Sequence, residues 1–401
     1  MTIGWIVRKS LRQHALSTVV TAVSIGLAGA LLMSIWVIKS QSHQTFTRVT
    51  GGFDAVLGAR SSKLQLVLNA VFHLEASPAN IEWQDYIALT NHPTVALAVP
   101  IAMGDNYRGF RVVGTLPDMF TRIEDAPGRK FHMQAPGRIF DPALREAVVG
   151  SFAAQKLNLR RGSKFHPYHG LNFAEEHEHA EEYIIVGVLE PSNTPADRVI
   201  WIPLEGVQKM SGHAAEAATQ ISAVLVKLKT PMTGQMLDNQ YNRKETRLTF
   251  AWPIGTIMSD LLNKISWFDR VLELVAYLVA VVAAGSILAS IYNSMNERRR
   301  QIALLRALGA HRGFVSASII LEAASIACIG VLIAFFIYVA ITSTAASIIR
   351  TQTGVVIDAW AFHPVMIWAP LALIVLAALV GCVPAMKAYR VDVAEHLLPT
   401  Q

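Results

Sequence analysis

Charge is scarce in this chain and cysteine is almost absent. Only 16% of its 401 residues are Asp, Glu, Lys or Arg, against 52% hydrophobic residues, where a soluble chain carries roughly 25% charged residues. So few charges cannot cover the surface of a soluble protein this long, and the same composition excludes disorder and collagen. The two cysteines, Cys328 and Cys382, lie in apolar runs. The long segment 39–270 has none, so no disulfide scaffold holds it and its own core must. Enzyme signatures are missing too. There is no Gly-x-x-x-x-Gly-Lys-Ser/Thr loop, so the chain does not bind ATP in the P-loop manner; Gly58 to Lys63 lacks the second glycine. No Gly-x-Ser-x-Gly elbow and no His-Glu-x-x-His helix occurs. Acid pairs such as Glu82 with Asp85, or Glu124 with Asp125, have ordinary surface spacings.

What the chain does have is long runs without charge. A hydrocarbon core of about 30 Å needs roughly 20 apolar residues in helix, and four windows supply them: Ala15 to Ile38, Leu274 to Met295, Ala323 to Ile349 and Trp360 to Met386. Each is apolar all round rather than striped. The first, with Arg8, Lys9 and Arg12 before it and Ala28-Gly29-Ala30 inside it, has some features of a signal peptide. Its apolar run continues through Leu31, Leu32, Ile35, Trp36 and Ile38, longer than the about 7–15 residues of a signal h-region. It reads as a retained anchor.

Lys and Arg in short loops set orientation. They gather before span one, between spans two and three (Arg298, Arg299, Arg300, Arg306, Arg312) and after span four (Lys387, Arg390), whereas the turn between spans three and four holds only Arg350 and Asp358. Both termini are therefore expected to be cytoplasmic. The division is then 1–14, a basic amphipathic helix with Ile3, Ile6, Val7 and Leu11 on one face, suited to membrane lipid at the inner leaflet; 15–38, 271–295, 315–349 and 360–386, the spans; 39–270, a large domain outside; 296–314, an inside loop; 350–359, a short outside loop; and 387–401, an inside tail. The fold class expected is a membrane protein with four transmembrane α-helices and a large α+β periplasmic domain inserted between helices 1 and 2. The outside segment holds 24 basic and 23 acidic residues. The net charge of +6 thus reflects inside segments facing anionic lipid, and no nucleic-acid partner is implied. Spans two to four carry no aligned ionisable ladder, and a mid-bilayer charge costs on the order of 2.5–3.5 kcal/mol even on the lenient scale. This speaks against a secondary transporter. Glu322 falls near the cytoplasmic end of its span, and Pro370 is expected to kink span four.

Within the outside segment, Val95 to Met103 and Phe110 to Gly114 read as a strand pair around a Gly104-Asp105-Asn106 turn. Arg145 to Leu159 reads as a short helix, and Tyr183 to Leu189, Val199 to Ile202 and Ser222 to Leu228 read as strands. One local cluster stands apart. His166, His169, His177 and His179 share a stretch with Glu175, Glu176, Glu178, Glu181 and Glu182. Imidazole with carboxylate suits zinc and similar divalent metals, which makes His166, His169, His177, Glu178 and His179 candidate ligands. The competing reading is a solvated acidic hairpin, and spacing alone fixes no coordination geometry.

After span two the chain reads Asn296-Glu297-Arg298-Arg299-Arg300-Gln301-Ile302-Ala303-Leu304-Leu305-Arg306-Ala307-Leu308-Gly309-Ala310. Ile302, Leu305 and Leu308 share a helical face, and Gly309 permits a sharp turn. This stretch resembles the inside loop of FtsX-like, MacB-type ABC transporter permeases, the type VII ABC superfamily, whose hallmark is Glu-Arg-x-x-Glu-Ile-x-x-Leu-Arg-x-Leu-Gly-Ala; Gln301 stands where an acid is usual. The region Gly137-Arg138 to Gly162 with Ala147-Val148-Val149-Gly150, the run Ile185-Val186-Gly187-Val188, and the tail from Pro384-Ala385 to Glu395, with Val393 in place of a proline, are similar to further parts of that family. The resemblance implies a non-catalytic permease without a fused ATPase domain, sitting in the bacterial inner membrane. It implies a homodimer, served by a separate ABC-class ATPase that holds ATP and Mg, with a periplasmic or lipoprotein partner. It also implies a coupling helix at about Ile302 to Arg312, with Glu297, Arg298, Ile302, Leu305, Arg306, Leu308, Gly309 and Arg312 as ATPase-coupling residues. Its action would be mechanotransmission, the conversion of ATP-driven closure inside into motion outside. Export, lipoprotein, envelope-related or metal-linked cargo all remain open. The alternative is a membrane-anchored periplasmic sensor or metal-binding protein that acts without an ATPase.

Overall fold

The computed structural model describes residues 3–48, 51–126, 129–170, 177–213, 215–244, 247–297, 310–354 and 356–389. It separates into two compact units. One comprises residues 1–41, 266–346 and 358–401; the other comprises 42–265 and 347–357.

The first unit is helical. A short helix, Ile3–Gln13, precedes the first span, Ala15–Arg48. The second, third and fourth spans lie in the helices Ile254–Glu297, Arg312–Thr353 and Val365–Tyr389. All four are long and apolar enough to cross a membrane. In lipid each backbone N–H and C=O must bond within its own helix, which these uninterrupted runs allow. Pro370 and Pro384 both fall inside the fourth.

Span one forms the middle of this bundle, with 61% of its apolar window buried against 28–33% in the others. Small residues make that possible. A Cβ on Gly330 would come within 2.8 Å of the Ile25 side chain and 2.9 Å of the Ala22 carbonyl, and one on Gly26 would meet Ile333 at 2.8 Å. Ala22, Ile25, Ala28, Ala323 and Ala327 are all buried at this seam. Polar side chains link the helices at several points among the described residues. Ser10 donates to Glu322 near the start of span three, Ser17 donates to Ser290 at 2.8 Å, and Lys39 pairs with Glu273 at 3.0 Å. Gly285, by contrast, faces open space.

The second unit is built on strands: β1 Ala55–Ala59, β2 Ile81–Glu82, β3 Val95–Tyr107, β4 Phe110–Thr115, β5 Glu124–Ala126, β6 Arg129–Lys130, β7 Glu146–Val149, β8 Lys164–Phe165, β9 Tyr168–His169, β10 Tyr183–Val188, β11 Ile200–Pro203, β12 Gln220–Ile221, β13 Ala223–Leu228 and β14 Leu248–Ala251. Ten of them make one mixed sheet in the order β14-β1-β13-β3-β4-β11-β7-β10-β8, with β9 also paired to β3. Successive side chains enter opposite cores. Leu57, Ala98, Val112, Val149, Ile200 and Val224 belong to one apolar cluster, while Val56, Val99, Val113, Val148, Trp201 and Leu225 belong to the other. Burial on both faces is why the strands read as near-continuous apolar runs rather than as an alternation. The strand pairs β2–β12 and β5–β6 form two further small sheets.

Two local expectations change. The β3–β4 hairpin does not turn at Gly104-Asp105-Asn106. It turns at Arg108-Gly109, where φ is 48° and 84°, as a two-residue hairpin loop requires, and Gly109 N donates to Asn106 Oδ1 at 3.1 Å. The expected helix from Arg145 is strand β7 followed by a shorter helix, Ser151–Leu157, that ends on Asn158 in the left-handed region. Gly150 makes that change of direction possible: a Cβ there would stand 2.4 Å from the Ala196 carbonyl oxygen.

The Gly330 contact yields a testable expectation. Gly330→Leu forces apart two packed helices and should lower stability by about 1–3 kcal/mol, the range for overpacked cores, whereas Gly285→Leu should be near neutral. Thermal unfolding of the two variants in detergent checks this; equal midpoints would contradict the packing role.

Candidate functional site

Strand β3 carries one ionisable side chain into the core. Asp105 is fully buried, and a bulge places it there. Met103 pairs with Val113 and Asp105 with Val112, which leaves Gly104 as the extra residue. The register shift turns Asp105 to the side of Val112, the side packed by the helix Leu204–Gln208. Beyond Ile101, where β13 ends its pairing, β9 takes over this edge of β3 and sets His169 directly across from Asp105. Gly170 N donates to Gly104 O at 2.8 Å, and Asn106 Nδ2 donates to Gly170 O at 2.9 Å. The chain returns with Glu178 bridged to Tyr168, and His179 N donates to Pro167 O at 2.9 Å. His213 arrives from the loop after the helix Leu204–Gln208.

Three imidazoles therefore converge on one carboxylate. His179 Nε2 and His213 Nε2 each lie 3.1 Å from Asp105 Oδ1, and His169 Nδ1 lies 3.5 Å away. One ligand atom from each of the four residues falls within 4.8 Å of the others. The rings stand edge to face, with centroids 5.1–5.5 Å apart. The outer nitrogens of His179 and His213 are held by backbone carbonyls. His179 Nδ1 donates to Ser211 O at 2.7 Å and His213 Nδ1 to Val207 O at 2.8 Å. Ser211 is itself clamped by Glu181, which accepts from its N at 3.0 Å and its Oγ at 2.8 Å.

A carbonyl only accepts, so each Nδ1 carries a proton and a neutral ring turns a bare Nε2 lone pair toward a carboxylate oxygen. That arrangement needs a positive charge between the two acceptors: a second proton on each ring, or a cation. Without a metal, the hydrogen bond to Asp105 raises the pKa of His179 and of His213 against the opposing effect of burial. Burial pushes Asp105 up, but the hydrogen bonds and charges of the two histidines outweigh it and hold its pKa below the usual value. His73 shows the opposite case, because burial, with Arg111 and Arg198 nearby, lowers it to about 3. Asp105 Oδ2 is buried and has no hydrogen-bond partner among the described residues.

Of the five sequence candidates, the structure brings together His169 and His179. His166 stands instead 3.9 Å from Glu182, while His177 and Glu178 are exposed and lie outside the cluster. Asp105 and His213 were not anticipated. The signal for Asp105 was a lone acid in the apolar run of β3, which a turn reading absorbed; His213 is 34 residues beyond His179 in the sequence and carried no local signal. The coupling candidates Arg298, Ile302, Leu305, Arg306, Leu308 and Gly309 lie outside the described residues. Glu297 ends one helix and Arg312 begins the next.

Two family models match the chain in succession. The MacB-like periplasmic core domain matches residues 17–242, and the FtsX-like permease C-terminal model matches residues 273–393. Among solved structures, the chain is similar to the periplasmic region of MacB from Actinobacillus actinomycetemcomitans. That match has 12% identity and a TM-score of 0.35, and it covers 56% of this chain and 97% of that one. It is also similar to the extracellular domain of the noncanonic ABC-type transporter YknZ from Gram-positive bacteria, with 16% identity, a TM-score of 0.30, and coverage of 49% and 99%.

The geometry predicts unequal roles for the cluster residues in chelator-treated protein. Asp105→Ala strands two buried histidines and should destabilise the domain by about 3–5 kcal/mol, as expected when one partner of a buried pair is removed. His169→Ala, with its side chain 54% exposed, should cost less than about 1 kcal/mol. Denaturant titration distinguishes them, and equal effects would refute the assigned geometry.

Proposed function

The chain belongs to the MacB/FtsX-type family of ABC permeases, and from that premise we propose that it transmits the work of a separate cytoplasmic ABC-class ATPase to its periplasmic domain. The observation that carries this reading is the order of the two family matches along one chain. The first takes in span one and the outside domain, and the second takes in spans two to four with the loop between spans two and three.

Helix length supports mechanical transmission. The helices Ile254–Glu297 and Arg312–Thr353 have 44 and 42 residues, about 66 and 63 Å at 1.5 Å per residue. The hydrocarbon core needs only about 30 Å of each, and a continuous hydrogen-bonded helix carries a displacement at one end to the other. The alternative of an ion pathway finds little in the spans. Among their described residues the buried acid is Glu322, which accepts from Ser10.

In this reading ATP and Mg belong to the partner ATPase, since the sequence has no nucleotide loop. In it the ATPase docks on the segment from Ile302 to Arg312. Both termini are cytoplasmic, in keeping with the arginines of the inside loop, and the chain works as a homodimer in the bacterial inner membrane. Exposed Leu274, Val275, Leu278, Val281 and Val282 on span two offer an apolar face to lipid or to the second copy. A periplasmic or lipoprotein partner completes the assembly, and envelope-related cargo, lipoprotein and metal-linked export are the cargo classes to test.

The coupling assignment predicts that Leu305→Asp combined with Leu308→Asp leaves membrane insertion intact and removes the ATPase from the detergent-extracted complex. Affinity purification with mass spectrometry, alongside a protease-accessibility check on the outside domain, tests this. An ATPase retained at wild-type level by the double variant would refute the assignment. A wild-type chain isolated without any ABC-class ATPase would favour a sensor acting alone.

A further inference from the structure

We propose that Asp105, His169, His179 and His213 bind a divalent metal ion of the zinc class, and that the ion ties together three segments of the periplasmic domain. The donor set is three imidazole nitrogens and one carboxylate, a combination suited to zinc and neighbouring first-row metals. The carboxylate-to-nitrogen distances agree as well. Tetrahedral zinc with ligand bonds of about 2.0–2.2 Å has ligand atoms about 3.3 Å apart; the three nitrogens here lie 3.1, 3.1 and 3.5 Å from Asp105 Oδ1.

Three further observations point to a metal rather than to a chance meeting of charges. The Nδ1 atoms of His179 and His213 are both committed to carbonyls, the outer-shell arrangement that fixes a metal-ligating histidine with its other nitrogen inward. Asp105 Oδ2 is buried and unsatisfied among the described residues, and a cation on Oδ1 would offset the charge this carboxylate carries. His169 and His213 line a cavity of about 340 Å³ that opens to solvent, which gives the ion a route in.

The ion would join β3, through Asp105, to the β9 hairpin, through His169 and His179, and to the loop after the helix Leu204–Gln208, through His213. These ligands span 109 positions of sequence, so binding restricts segments that lie far apart along the chain. The site lies wholly within the periplasmic domain, and its test needs no ATPase. Its failure and that of the coupling assignment are therefore separable.

The test uses the full chain in detergent, stripped with EDTA, re-equilibrated with zinc and freed of excess ion. Metal content by plasma mass spectrometry should be one zinc per chain, and cobalt in its place should give the intense visible bands of a tetrahedral site. His169→Ala and Asp105→Asn should each weaken zinc binding by at least about tenfold, the lower limit expected even for loss of an outer-shell partner. His166→Ala and His177→Ala should leave it unchanged. His169 is half-exposed, so its variant folds and remains informative if Asp105→Asn does not. Zinc should also slow amide hydrogen exchange in residues 168–170 and 207–213. Failure of the wild-type chain to retain zinc, equal losses from His177→Ala and His169→Ala, or unchanged exchange in those segments would each overturn the proposal.

Discussion

Everything in this chain follows from the rule that hydrocarbon offers a backbone no hydrogen bonds. A segment crossing it must satisfy each N–H and C=O internally, so the spans are long helices, and the mixed sheet with its bulges lies in the outside domain. The same rule makes charge expensive within the bilayer. Polar side chains in the bundle pair with one another accordingly, as Ser10 does with Glu322 and Ser17 with Ser290. It also explains why the close approach of spans one and three depends on Gly26 and Gly330 rather than on polar contacts.

The outside domain meets a related constraint in a different medium. Its sheet is buried on both faces, so a carboxylate on a central strand is costly unless it is paired. Asp105 is such a carboxylate: the bulge at Gly104 turns it inward, and the β9 hairpin and the loop after the helix Leu204–Gln208 deliver histidines to it. Four residues from three separated segments meeting at one buried oxygen is an arrangement that hydrophobic packing alone would not produce, since burial of apolar surface is non-directional.

Parts of this were legible in the sequence because their cause is local. Span windows need only composition and length, and β10, β11 and β13 stood out as apolar, β-branched runs. The inside loop declared its family through consecutive residues. The rest depended on tertiary pairing. Gly104-Asp105-Asn106 has the composition of a turn, yet a positive φ at Arg108 and Gly109 puts the turn two residues later and leaves Asp105 inside the strand. Glu146 to Val149 carries no strand signal beyond two valines and becomes a strand because β10 and β11 flank it. His169 and His179 were recognisable as ligand types in a His/Glu stretch. Their selection over His166 and His177 is decided by cross-strand register with β3, and His213 by a contact across 108 positions, neither of which spacing encodes.

The central claim is that ATP hydrolysis inside the cell moves the periplasmic domain, and it can be measured directly. The chain with Cys328→Ser and Cys382→Ser, carrying one spin label at Glu190→Cys on the exposed surface, would be reconstituted with its ATPase in lipid nanodiscs. The distance between the labels of two copies would then be read by pulsed electron spin resonance. The account predicts a distance distribution that shifts between the nucleotide-free and ATP-bound states and returns after hydrolysis. One identical distribution in all states, while the ATPase continues to turn over, would contradict it.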